Sequence, residues 1–157
     1  MNQIIFTNKD WQEMSCYLMK RSDVESGAYS IYKTSFGPNN HKFLVTRTII
    51  PEDKDYLKRS PVCVAFKPEF TEKALQMCEA TNGHLLDLHT HPWALDVNFS
   101  SIDDREARFR KIPYMLRYVP VTNIAFIVLG KSPTIAKARF WDKSEHRLSS
   151  IDRILVT

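Results

Sequence analysis

Six consecutive apolar side chains, Ile124-Ala125-Phe126-Ile127-Val128-Leu129, stand between Asn123 and Gly130. A continuous apolar run with a glycine stop is the pattern of a central strand buried on both faces. Such a strand needs cover above and below, which directs the chain towards an α/β arrangement around one sheet. The remaining segments can supply that cover. Residues 8–20 carry Trp11, Met14, Tyr17 and Leu18 at helical spacing,. Residues 29–36 and 43–50 read as strands joined by a Gly37-Pro38-Asn39-Asn40 turn, the second closed by Pro51,. Residues 51–61 are polar and charged and read as a loop, followed by a short strand over 62–66. Residues 68–80 read as a helix stopped by Thr81-Asn82-Gly83, where Asn82 or Gly83 can take a left-handed cap,. A strand over 84–89, a loop over 93–99, and a helix from Ser100 or Ser101 to about Arg110 follow, broken by Ile112-Pro113,. Residues 135–141 read as an antiparallel neighbour of the central strand, with Ile154 and Val156 in a last edge strand.

At 157 residues the chain has the length of one domain, 1–157, with no repeats, low-complexity segments or linker,. No run approaches the roughly 18 apolar residues of a membrane span. The N-terminus lacks a basic region followed by a long apolar one,. Cys16, Cys63 and Cys78 are odd in number and lack CxxC spacing, so they read as buried free thiols in a reducing cytoplasm,. The formal charge of +4 is a mild basic bias. Arg105, Arg108 and Arg110 are interleaved with Asp103, Asp104 and Glu106, the pattern of a solvated helical face and not of a nucleic-acid groove.

The chemistry-bearing stretch is Leu88-His89-Thr90-His91-Pro92. On an extended segment, side chains at i and i+2 point to one side, so His89 and His91 can present two imidazoles to one point. Twelve residues after His91, Asp103 offers a hard oxygen ligand. Two imidazoles and a carboxylate form a three-ligand set that leaves a coordination position open, as catalytic zinc sites do. Each part alone is ordinary. His-x-His occurs in many strands, and Ser-x-x-Asp reads as a capping box, with both Ser100/Asp103 and Ser101/Asp104 available. One division lets Ser101 and Asp104 cap while Asp103 binds metal. His84, five residues before His89, falls on the opposite strand face and reads as structural. Trp93 and Trp141 read as core or groove wall, and His41 and His146 as solvated.

The whole spacing is His-x-His-Pro, seven residues, Ser, two residues, Asp, with an acidic residue far upstream. It resembles the JAMM signature of the MPN/JAB metalloprotease family, matched here at His89, His91, Pro92, Ser100 and Asp103. The resemblance implies an MPN (cytidine-deaminase-like) three-layer sandwich, with a mixed curved sheet flanked by helices. It implies one Zn²⁺ per chain, held by His89, His91 and Asp103 with a catalytic water. Glu25, in Glu-Ser-Gly-Ala-Tyr, matches the general base by position, with Glu13 and Asp23 as rivals. Ser100 matches the serine that hydrogen-bonds the oxyanion. The implied activity is cleavage after the C-terminus of a ubiquitin-like modifier, whose binding regions correspond to residues 52–60 and 108–121. A ubiquitin-like protein or its conjugate would be the partner, with activating-like and conjugating-like enzymes of a bacterial antiphage system beside it. A short-peptide metallohydrolase and a catalytically silent MPN scaffold are the alternatives. The helix-hairpin-helix glycine motif of a DNA-repair-associated relative is absent.

Overall fold

In a computed structural model, which describes residues 1–157, the predicted central strand is buried at all six positions. The elements in order are β1 (Asn2–Phe6), α1 (Asn8–Leu18), β2 (Gly27–Phe36), β3 (His41–Ile49), β4 (Tyr56–Ser60), β5 (Cys63–Phe66), α2 (Pro68–Thr81), β6 (His84–Thr90), α3 (Ser101–Glu106), α4 (Ile112–Tyr118), β7 (Ile124–Leu129), β8 (Ala136–Asp142), β9 (Arg147–Ile151) and β10 (Arg153–Val156). Eight strands form one sheet in the order β10-β1-β3-β2-β6-β7-β8-β9, and β4 and β5 form a separate hairpin. Strand β7 runs parallel to β6 and antiparallel to β8, and β1 runs parallel to both β3 and β10, so the sheet is mixed.

Strands β9 and β10 lie at opposite ends of the sheet yet are separated by Asp152 alone. The sheet must therefore curl until its edges approach. Asp152 N–H donates to the Asn2 carbonyl at 2.8 Å, Asn2 N–H donates to Asp152 Oδ2 at 2.6 Å, and Asn2 Nδ2 donates to the Ser150 carbonyl at 3.1 Å. The result is a mixed α/β fold on a curved, nearly closed sheet.

Period-two alternation divides the strand side chains between two cores. On one face Phe43, Leu86, Leu88 and Ile127 meet Met14 and Leu18 of α1. On the other, Tyr29, Leu85 and Phe126 meet Phe70 and Leu75 of α2 and Ile112 and Met115 of α4. Each fully buried leucine contributes about 1.5–3 kcal/mol through the water it sheds.

Several expectations change. Residues 51–61 are not a plain loop. A 3₁₀ turn at Asp53–Asp55 leads into β4, where only Tyr56 is buried, so the segment carries no alternation to read. Tyr56 fixes the hairpin to β2 by donating to the Gly27 carbonyl at 3.1 Å and accepting from Gly27 N–H at 3.2 Å. A side chain at Gly27 would place its Cβ 2.9 Å from the Phe66 ring, so the ring would have to shift to admit one. Pro113 does not break the helix. A π-helical turn, Ala107–Lys111, joins α3 to α4, with Ile112 N–H bonding the Ala107 carbonyl, and Pro113 sits in the first turn of α4, where a missing N–H is tolerated,. Strands β1 and β9 are additional. Of the three free thiols, Cys78 is buried as expected, Cys63 is half-buried and Cys16 is exposed on the outer side of α1. No helix is long and apolar enough to cross a membrane.

Candidate metal centre

Strand β6 carries Leu85 and His89 to the face covered by α2 and α4, with Leu86, Leu88 and Thr90 on the other,. Beyond the strand end, His91 N–H donates to the Leu129 carbonyl at 2.8 Å, which holds the second histidine in line with the first. The two rings lie 5.1 Å apart between centroids. Asp103 completes the group. His89 Nε2 is 3.1 Å from its Oδ1 and His91 Nε2 is 3.3 Å from its Oδ2. The three ligand atoms fall within 4.8 Å of one another.

Asp103 reaches this point because Ser100 is the N-cap of α3. Ser100 Oγ accepts from Asp103 N–H at 3.0 Å, and Asp103 Oδ2 accepts from Ser100 N–H at 2.7 Å. The capping box is thus Ser100/Asp103, and the division that gave capping to Ser101 and Asp104 is corrected. A single carboxylate serves both purposes: Oδ1 faces His89, while Oδ2 accepts from Ser100 N–H and also faces His91. Asp104 turns instead to Arg139 of β8, whose guanidinium lies 3.7 Å over the Phe99 ring. Burial acts to raise the Asp103 pKa, but the two imidazoles and the Ser100 N–H outweigh it and hold the carboxyl well below the usual range. Against that carboxylate, His91 is raised above the ordinary imidazole value, with burial opposing and Glu25 adding.

Glu25 stands two residues before β2 and is 4% exposed, with Oε1 3.5 Å from His91 Nε2. Its backbone is fixed by the hairpin: Glu25 N–H donates to the Ser60 carbonyl at 2.9 Å, and Arg59 Nε donates to the Glu25 carbonyl at 3.1 Å. Burial pushes its carboxyl up to about 7, with Asp103 adding and His91 and Lys111 opposing. The rivals lie elsewhere. Glu13 is exposed on α1, and Asp23 is exposed and paired with Arg21 at 2.6 Å.

The donor set fits a metal. In a tetrahedral zinc site with bonds of about 2.0–2.2 Å, neighbouring ligand atoms stand roughly 3.3 Å apart, the spacing seen between each imidazole and the carboxylate. His89 Nε2 is also buried with no hydrogen bond, despite its proximity to Asp103. A buried polar atom without a partner is costly, and a cation between the rings and the carboxylate would satisfy it. The His89, His91 and Asp103 group could therefore hold a metal ion.

Other histidines behave differently from one another. His84 accepts from Asn123 N–H at its Nδ1 (2.9 Å), a structural bond. His41 is not solvated but half-buried between Phe36 and Phe140, because the curled sheet brings β8 against β3. His146 is exposed at φ 50°. Trp93 stacks parallel to His91 at 6.3 Å, and Trp141 packs half-buried on the core under α2 and α4. Arg59 and Arg139 support the site without any motif to announce them. They act through tertiary contacts that sequence spacing does not encode.

The fold and the group together define an α/β protein with a candidate metal centre at the end of two central strands. No protein-family model matches the chain, and no curated protein matches it. Among solved structures it is similar to the solution structure of protein DSY2949 from Desulfitobacterium hafniense, with 16% identity and a TM-score of 0.59, over 98% of this chain and 92% of that one. That likeness extends to the fold.

Proposed function

We propose that the chain is a zinc-dependent amide hydrolase of the JAMM/MPN type, with the MPN sandwich as its fold. It cleaves after the C-terminus of a ubiquitin-like modifier, either to free a conjugate or to mature a precursor. The observation that carries this reading is the convergence of Glu25, His89, His91 and Asp103 on one buried point, with the Glu25 carboxyl pushed up to about 7. Zinc held by His89, His91 and Asp103 would supply Lewis acidity, acidifying water and polarising a carbonyl.

The chain's own residues do the rest. Glu25, with a proton affinity near neutrality, accepts a proton from the attacking water and returns it to the leaving amine. Ser100 Oγ accepts from Asp103 N–H, which leaves its own proton free for a developing oxyanion; one such donor is typically worth about 10²–10³ in rate. Val62, Cys63 and Val64 of the hairpin wall the cavity beside Glu25, His89 and Asp103, whose volume is only about 30 Å³. A space of that size has room for about one water, as a metal-bound nucleophile needs, and a substrate tail would approach it from outside. Activating-like and conjugating-like enzymes as partners, and a place in antiphage defence, follow from the sequence resemblance.

The test pairs zinc content with cleavage of a ubiquitin-like fusion by wild type, Asp103→Ala and Glu25→Gln. About one zinc per chain in wild type and Glu25→Gln, with cleavage in wild type alone, is the expected pattern. Wild type that cleaves short peptides but no fusion would move the reading to a peptide hydrolase. A chain that takes up no zinc on reconstitution would move it to a scaffold.

A further inference from the structure

A second cavity, of about 320 Å³, adjoins the candidate metal centre. Val64, Glu106 and Lys111 line both spaces, so a ligand passing the Lys111 side chain would touch each. The wall is apolar and aromatic, with Tyr29, Phe66, Leu75, Tyr114 and Met115 contributing. Its volume is at the lower end of small-molecule sites, roughly 300–1,000 Å³.

One lining group does not match this wall. Asp87 pairs in register with Tyr29 and Phe126, one side-chain step before His89, and its side chain is 4% exposed. The Lys111 ammonium, brought over it by the π-helical turn, lies 2.7 Å from Oδ2. No hydrogen bond from another protein group reaches the carboxylate, which can accept about four. With Asp87 buried and Lys111 one third exposed, the pair contributes little beyond an apolar pair of the same shape,. Its remaining acceptor capacity, at an apolar cavity, is complementary to a ligand with an apolar body and a donor at its tip.

We propose that this cavity is a specificity pocket for a tyrosine side chain carried by the substrate close to the scissile bond. The ring lies among Tyr29, Phe66 and Tyr114 and the hydroxyl donates to Asp87. Phenylalanine would leave Lys111 as the only partner of the carboxylate, with its remaining acceptor capacity unmet,. The pocket rests on the amide-hydrolase reading above for its substrate, but its test reads binding.

The probes are N-acetyl-tyrosinamide and N-acetyl-phenylalaninamide, titrated by NMR into the full chain with and without zinc. A charge-assisted hydrogen bond predicts at least about tenfold tighter binding of the tyrosine probe, with resonances of Thr71, Leu75 and Met115 moving. In Asp87→Leu/Lys111→Met, which removes both partners together, the preference shrinks to within about twofold. Ala65→Trp, which adds bulk to the lining and leaves the pair intact, weakens both probes. Equal binding of the two probes to wild type, no binding of either, or a tyrosine preference that survives in the double variant overturns the pocket. Cleavage of a fusion alongside equal binding would overturn the pocket and leave the hydrolase reading standing. A tyrosine preference in a chain that cleaves nothing would do the reverse.

Discussion

Thr90, between the two histidines, accepts a hydrogen bond at its Oγ1 from the backbone N–H of Ser26 at 2.9 Å, and its own N–H donates to the Ser26 carbonyl at 3.0 Å. Ser26 follows Glu25. The residue that alternation turns away from the two histidines therefore ties their strand to the segment carrying the buried glutamate, 64 positions earlier in the chain.

Thr90→Val keeps the shape and removes the acceptor, leaving Ser26 N–H buried without a partner. A loss of about 1–3 kcal/mol in urea unfolding is expected. Thr90→Ser retains the bond and should recover part of that loss. Equal unfolding midpoints for wild type and Thr90→Val would show the bond contributes nothing.

Asp103 and Asp104 should separate by metal content. Asp103→Ala removes both the candidate ligand and one half of the capping box, so zinc per chain should fall towards zero. Asp104→Ala leaves the three ligands in place and frees Arg139. Zinc content should hold, while stability drops by on the order of 1 kcal/mol, since Asp104 is nearly half exposed,. Metal analysis and urea midpoints on the two variants decide it.

Glu25 gives metal-free protein a pH dependence of definite sign. Its folded carboxyl, pushed up to about 7 from 4.5 by burial, keeps a proton that the unfolded chain has released. The stability it contributes is complete below pH 4.5 and is lost as pH rises through about 7, on the order of 3 kcal/mol in all. Metal-free Glu25→Gln, uncharged throughout, should lose much less between pH 5 and pH 8. Parallel profiles for the two proteins would contradict the assignment.

His84 works in the opposite sense. Burial, with Lys143 and Lys33 nearby, lowers its pKa below 6.5, and its neutral Nδ1 accepts from Asn123. The unfolded chain takes up a proton first as pH falls, so stability present above pH 6.5 is lost as pH drops towards the depressed value. His84→Asn, which preserves an acceptor, should unfold with a flatter profile between pH 7.5 and pH 5. Denaturant midpoints at the two pH values measure the difference.

The apolar run of β7, the helical stripes of α1 and α2 and the alternation of His89 and His91 were legible because each is a local pattern with its own period. Strands β4 and β9 were not. Tyr-Leu-Lys-Arg-Ser and Arg-Leu-Ser-Ser-Ile bury little, and pairing with a neighbour, not patterning, makes them extended. The His89, His91 and Asp103 group, which could hold a metal ion, could be named from spacing. The second duty of Asp103 could not, because Ser101/Asp104 offers an equivalent capping box and only the packed position of α3 selects between them.

The π-helical turn at Ala107–Lys111 has a consequence for how this region tolerates insertions and deletions. A π turn is an α-helix with one residue to spare. Five residues in the wide turn cover about the angle that four cover in an α-helix, so removing one residue there would restore the α-helical repeat and leave the two sides of the helix in nearly the same relative rotation. With α4 anchored by Ile112 and Met115 in the core, α3 would keep Asp103 facing the histidines. Deleting the solvent-exposed Arg108 or Phe109 is thus less disruptive than a deletion within α3 or α4, where the side chains beyond it would turn by about 100°,.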